Sequence, residues 1–419
     1  MNQYTIDFPS IDGRSGGWRS AAHVMLLLLA LSALAGAQTT PVGEPKPRLD
    51  IYGFAMMDTG YQGGQNHPDW FDVVRPTKLP AFENEFGEDG RYFAGVRQSR
   101  FGTKGYIPTD LGEIKTIFEF ELFGTGVDAG QTTFRLRHAW GELGPIGAGQ
   151  TWSPFMDPDV FPNSIEYWGP NGMVFFRNVQ ARWTPWSSGD SRFVIAVERP
   201  GASADQGVYA DRIELQNIKA RFPAPDVSSH FRLAQDWGHL QIAGIVRKIK
   251  WDDTLQDEFD LSGSETGWGV NVSSNVKLAK HVLKLQVVYG EGIQNYMNDA
   301  PVDVGIVNNF SDPQRPILGK ALPLLGLVAF LDLNWSERWT STVGYSRLDI
   351  DNTDGQDASA FKTGQYGLGN VLFHPTKDVL LGPEFQWGYR KNRSDGWSVN
   401  DYRVQFSFKY NFALQLGGS

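Results

Sequence analysis

The chain has 419 residues with no Cys, 14 Trp, 14 Tyr, 27 Phe and 47 Gly, a formal charge of −9 and a mean hydropathy of −0.33. Without Cys, a disulfide scaffold, a Cys-ligated zinc site and thiol catalysis are all excluded. Many aromatics and glycines at modest hydropathy fit a membrane β-barrel, whose lipid-facing residues alternate with polar ones and leave the average low.

The first element in chain order is HVMLLLLALSALAGAQ, His23–Gln38. Its apolar core is too short to cross about 30 Å of hydrocarbon. It follows Arg14 and Arg19 and ends in Ala35-Gly36-Ala37, a small-x-small cleavage pattern. Residues 1–37 therefore read as a secretory signal peptide cut after Ala37, with an uncleaved anchor as the alternative. The stretch before the apolar core is long and holds Asp7 and Asp12, which makes Met25 a second candidate start. The expected mature terminus is Gln38; mass spectrometry showing His23–Ala37 intact in the membrane-embedded protein would overturn this reading. Residues 38–48 are Pro-rich and aperiodic, and are expected to form a disordered periplasmic tether.

From Leu49 to the end, residues 49–419, period-two alternation recurs, the pattern of half-buried strands. Glu113–Phe123 (EIKTIFEFELF) sets Ile114, Thr116, Phe118, Phe120 and Leu122 against Glu113, Lys115, Ile117, Glu119 and Glu121. Asp401–Phe412 sets Tyr402, Val404, Phe406, Phe408, Tyr410 and Phe412 against Arg403, Gln405, Ser407, Lys409 and Asn411. About sixteen such segments follow one another, and their connections alternate strictly between short and long. A soluble sandwich or propeller also alternates, but the long/short rhythm is that of a transmembrane antiparallel β-barrel with short periplasmic turns and longer outer loops. Closure is what lipid demands, since every backbone N–H and C=O must be paired. Trp140, Trp183, Trp268, Trp335, Trp339 and Trp387 fall on faces read as outward, where they suit interfacial girdles.

The third long connection, near Trp152–Met173, interrupts this rhythm of short strands. It is rich in Pro, Gly and Asn and carries Asp157, Asp159 and Glu166. A connection of this length usually has a function, and it is expected to fold into the barrel and narrow the lumen. GQTWSPFMDPDVFP followed by YWGPNGMVFFRNVQARW resembles the DcaP-like branch of outer-membrane channels, and RQSRFGTKGY (Arg97–Tyr106) resembles the second-strand signature of trimeric general porins. WGHLQIAGIVR (Trp237–Arg247) is similar to the same branch's turn into the ninth strand. The resemblance spans the mature chain and implies a sixteen-stranded homotrimeric channel of the bacterial outer membrane that takes up small carboxylates. Two features depart from that pattern. Residues 38–48 are too short and Pro-rich for the coiled coil that often precedes the barrel, and Ala413–Ser419 continue past the final aromatic, as a strand that protrudes into the periplasm.

Catalytic chemistry finds no support: there is no HExxH, GxSxG, Walker loop or EF-hand, and no cofactor, metal or nucleic-acid partner is expected. Ser99 and His138, the one imaginable Ser/His pair, both have outward parity. Acid pairs such as Asp252-Asp253 and Asp299…Asp303 read as solvated loop acids rather than Ca²⁺ sites. The inward faces hold thirteen bases against six acids, an excess that would draw small anions through the pore. The constriction is expected to set Arg100, Lys104, Arg135, Arg137 and Arg182, with Glu119 and Glu121 among them, against Asp157, Asp159 and Glu166 of the loop. A sugar-preferring pore and a plugged structural or adhesin barrel are the alternative readings; outer-membrane lipid, small anionic solutes and further copies of the chain are the expected partners.

Overall fold

The computed structural model describes Lys46–Gly418, so the expected signal peptide and most of the tether lie outside the described residues. Sixteen strands form one closed antiparallel barrel. They are β1 (Arg48–Gln62), β2 (Arg100–Thr109), β3 (Gly112–Phe123), β4 (Thr132–Leu143), β5 (Ile146–Trp152), β6 (Arg177–Ser188), β7 (Ser191–Glu198) and β8 (Asp226–Gln235). The second half comprises β9 (Gly238–Asp253), β10 (Gly263–Leu278), β11 (His281–Glu291), β12 (Pro323–Asn334), β13 (Trp339–Ile350), β14 (Phe361–Thr376), β15 (Val379–Asn392) and β16 (Ser398–Gly417). Each strand pairs with the next, and β1 pairs with both β2 and β16, which closes the ring. The expected barrel is thus observed, with the second strand beginning at Arg100 and the sixth at Arg177.

Alternation decides which face meets lipid. In β16, Asp401, Arg403, Gln405 and Ser407 are buried, whereas Tyr402, Val404, Phe408, Tyr410 and Phe412 are exposed. The strand does not end at the last aromatic. Ala413–Gly417 pair residue by residue with Tyr52–Arg48, so the expected protruding end is part of the seam. Phe412 lies opposite Gly53, and a Cβ at that glycine would come within 2.7 Å of the Phe412 ring. Phe412→Asp would set a charge against lipid beside the seam, costing from about 1 kcal/mol at the interface to roughly 2–4 nearer the midplane, somewhat less for an acid than for Arg or Lys. Loss of the heat-modifiable barrel band is expected; a wild-type level of folded barrel would contradict the seam.

One irregularity shifts the parity of β4. The register between β3 and β4 slips where Glu119 pairs with His138 but Phe120 with Leu136, leaving Arg137 as the extra residue of a β-bulge. Arg137 and His138 are therefore both buried, and Trp140, read as outward, turns inward with 7% exposure. His138 joins Thr151 Oγ1 at 2.9 Å, while Ser99 Oγ bonds the backbone of Met56, so the imagined Ser/His pair is not assembled.

The main apolar core lies inside the barrel, a consequence of three loops entering it. Val74 from loop 1 (63–90), Phe155, Met156, Val160 and Met173 from loop 3 (153–176), and Ile293, Tyr296 and Met297 from loop 6 (292–322) pack together on the inner wall of β9–β14. Phe330, Leu348, Tyr366 and Leu368 supply the wall side of this core.

Candidate functional site

Loop 3 crosses the lumen, and its hydrogen bonds trace its course. Near its start the Phe155 carbonyl accepts from Asn271 on β10, and farther on the Phe161 carbonyl accepts from Lys284 on β11. Asn163 N–H then donates to Asp332 on β12, and Ile165 N–H to Glu384 on β15. The Ile165 carbonyl accepts from Gln98 and from Gln405 on β16. At two points only glycine allows the path. Gly169 has φ +78°, and any Cβ would strike the Phe161 ring at 2.5 Å; at Gly172 it would lie 2.2 Å from the Arg347 carbonyl, because loop backbone runs directly on wall backbone.

The loop acids do not face the predicted arginines. Asp157, fully buried, accepts from Arg232 Nη1 at 3.2 Å, and its Oδ2 bonds His239 Nε2 and Ser273 Oγ, each at 2.7 Å. Arg232 also reaches Asp159. Burial works to raise the Asp157 carboxyl, but the His239 and Ser273 hydrogen bonds outweigh it and hold the group below the usual range. Potential ligand atoms of Asp157, Asp159 and His239 lie within 4.8 Å of one another, yet the Arg232 guanidinium already supplies the positive charge a metal would bring. Glu166 turns toward the upper lumen, accepting from Val74 N–H at 3.1 Å, from Gly169 N–H and from Tyr366 OH. Full burial pushes its carboxyl up to about 7. These partners correct the expected opposition of acidic loop to basic wall. The early half of loop 3 leans on β8–β10, away from β2–β4.

The predicted wall residues form a cluster of their own. Glu119 and Glu121 on β3 accept from Arg137, whose Nε is 2.6 Å from Glu119 and whose Nη1 is 2.5 Å from Glu121. Arg100 lies 3.5 Å from Glu121 and 3.6 Å from Glu119, Arg135 3.5 Å from Glu121, and Arg177 3.8 Å from Glu121. Tyr167 of loop 3 donates to Glu121 and stacks on Phe123 at 3.9 Å. Four arginines thus surround two glutamates, a local surplus of two positive charges. Arg182 stands apart, bonding the Trp152 carbonyl at 2.5 Å and lying 4.9 Å over Trp140. Lys104, nearer the periplasmic end, lies 5.1 Å from the Tyr52 ring.

Sequence reasoning missed Arg177, and it missed loops 1 and 6. Asp299 of loop 6 is fully buried and accepts from Arg75 Nε and Thr77 N–H of loop 1, each at 2.9 Å. Arg75 lies between the Trp70 and Trp168 rings, 4.1 and 4.0 Å from their centroids. Asp303, also fully buried, pairs with Arg247 at 2.9 Å. Neither acid is solvated, contrary to expectation. The available signal was the apolar DWFDVVRPTKL run (Asp69–Leu79) in a segment otherwise read as loop.

The inward charge count also changes. Among the described residues thirteen acids are buried, eight on barrel strands (Asp58, Asp226 and Asp401 among them) and five on loops, against six arginines. Short carboxylates tuck beneath backbone and arginine donors, whereas Arg100, Arg135 and Lys284 keep 25%, 29% and 14% of their side chains open. Water in the lumen therefore meets bases such as Arg100 and Arg135, while the buried acids of wall and loops lie covered.

A family model described as DcaP outer membrane protein matches residues 78–287. Among solved structures, the chain is similar to the outer membrane channel DcaP of Acinetobacter baumannii, at 20% identity and a TM-score of 0.72 over 90% of this chain and 100% of that one. It is also similar to a porin of Comamonas acidovorans described as anion-selective, at 10% identity and a TM-score of 0.55 over 87% and 100%. The trimer form of OmpT of Vibrio cholerae aligns at 11% identity and a TM-score of 0.52 over 87% and 99%. No curated protein matches the chain. At these identities the structural likenesses establish the fold.

Proposed function

The chain belongs to the DcaP outer membrane protein family, and on that premise we propose that it is a passive channel for small hydrophilic solutes with a preference for anions and carboxylates. Its place is the bacterial outer membrane, and it is a porin-like channel. The observation that carries the preference is the unequal burial of charge: acids lie under hydrogen bonds, and Arg100, Arg135, Arg182 and Lys104 keep part of their surface open in the lumen. A channel selects through the charges that line its narrow part, and low-dielectric walls focus their field. The proposed assembly is a homotrimer, in keeping with the trimeric OmpT, and the pore needs no cofactor and performs no catalysis.

A planar bilayer recording tests this. Purified protein in a KCl gradient is expected to show an ohmic conductance with an anion-selective reversal potential that declines as salt rises, because the Debye length falls from about 10 Å at 0.1 M to about 3 Å at 1 M. Cation selectivity at low salt would refute the preference. The three loops packed in the lumen also favour a second reading, a plugged structural barrel, which predicts no conductance at all.

A further inference from the structure

Four cations stand together on the outer face of the barrel at its long-loop end. A short strand, Ile218–Arg221, extends the sheet beside β9, pairing Arg221 with Lys250 and Lys219 with Asp252. Paired residues share a face and successive ones alternate. Arg247 and Ile249, at 2% and 4% exposure, fix the inner face of β9 here. Lys248, Lys250 and Asp252 consequently point outward, and Lys219 and Arg221 with them. Arg221 and Lys250 reach Asp252 at 2.6 and 3.5 Å, while Lys219 and Lys248 have no ion pair among the described residues. The block has a surplus of three positive charges on a chain of net charge −9.

Its height on the wall is defined by its neighbours. Lys248 pairs with Thr266, two residues from the outward Trp268, which meets Tyr289 edge-on at 5.8 Å. Val246, the register partner of Trp268, and Ile242, Val270 and Val272 below it are all exposed. Aromatics on an outer wall mark the headgroup level, and long loops mark the extracellular side. Glu291, paired with Trp268, is an acid on the same face at the aromatic level.

We infer that this block binds the phosphate groups of an acylated lipid of the outer leaflet, with the acyl chains lying along Val246 and Val270. Guanidinium and ammonium groups form charge-assisted bonds to phosphate oxygens, and the exposed apolar strip beneath accepts the chains. A free anion would use the cations but not the strip.

Native mass spectrometry of the detergent-solubilised protein tests the assignment, with bis-phosphorylated lipid A and its dephosphorylated form as probes. The wild type retains the phosphorylated form. Each cation beside an anionic lipid surface changes affinity about fivefold, so K219A/R221A/K248A/K250A should lower retention by about two orders of magnitude or more, and Asp252→Asn should raise it about fivefold. Should the quadruple variant not yield a heat-modifiable barrel, Asp252→Asn decides alone: unchanged or reduced retention overturns the site. Equal retention of the dephosphorylated lipid, displacement by millimolar inorganic phosphate, or a quadruple variant that changes only the oligomeric state would each overturn it too.

Discussion

Replacing Arg137 with Ala should move the zero-current potential in a KCl gradient toward cations by more than replacing any other single lumen base. Among the described residues, Arg137 is the one arginine that bonds both Glu119 and Glu121 at full hydrogen-bond distance. Removing one partner of a buried ion pair costs about 3–5 kcal/mol, because the other charge is left uncompensated. Without Arg137, Glu119 and Glu121 lose their closest arginine donor, and the surplus of the cluster falls from two positive charges to one, held by Arg100, Arg135 and Arg177. Arg135→Ala and Arg182→Ala, at sites more open to water, should shift the potential in the same direction by less. A charge a few ångströms from a permeating ion acts at about 1–4 kcal/mol before screening. The loop acids separate in a similar way. Asp159→Asn removes a half-exposed charge and should increase anion selectivity with the loop intact. Asp157→Asn weakens the contacts to Arg232, His239 and Ser273 that hold the early part of loop 3, and should add current noise as well. An Arg137→Ala channel as anion-selective as the wild type would show that the β3–β4 cluster does not line the conducting path.

The second large effect is expected at Asp299. Asp299→Ala deletes the acceptor for Arg75 and Thr77 and leaves the Arg75 guanidinium buried without its carboxylate. The same roughly 3–5 kcal/mol penalty applies, and here it falls on the contact between loops 1 and 6. Loop 1 should then leave the lumen for part of the time, giving larger and more variable single-channel steps. The chain has no Cys, so a Thr77→Cys/Asp299→Cys pair gives a clean converse, and a cross-linked form should hold the lowest conductance level until reduced. Identical conductance in wild type, Asp299→Ala and the reduced and oxidised double variant would mean that solutes pass elsewhere.

Much of the barrel was legible because alternation and connection length are local properties. Glu113–Phe123 and Asp401–Phe412 show their two faces in the residues themselves, and the order of short and long links is visible without any contact. The bulge at Arg137 was not legible. One extra residue reverses the parity of everything after it, and nothing in TTFRLRHAWGEL marks where it falls. That single slip turned Trp140 and His138 inward. The lumen charge needed more than a count: tallying inward residues weighs Glu198 and Arg135 alike, but Glu198 is buried and Arg135 stays partly open. Loops 1 and 6 were missed because their inward residues, Val74, Tyr296 and Asp299, are defined by one another and not by any wall pattern.

The seam between β1 and β16 has a consequence for how the molecule comes into being. Arg48 pairs with Gly417, so nearly the whole described chain lies between the two partners that close the ring. Contacts so distant in sequence are slow to form, and β1 cannot obtain this neighbour until β16 has been made. Before then the first and last completed strands each present an unpaired edge, which invites addition of a strand from another chain. The nascent polypeptide is therefore an obligate client of whatever shields sheet edges in the periplasm, and a version cut short before β16 should accumulate there as aggregate instead of reaching the membrane.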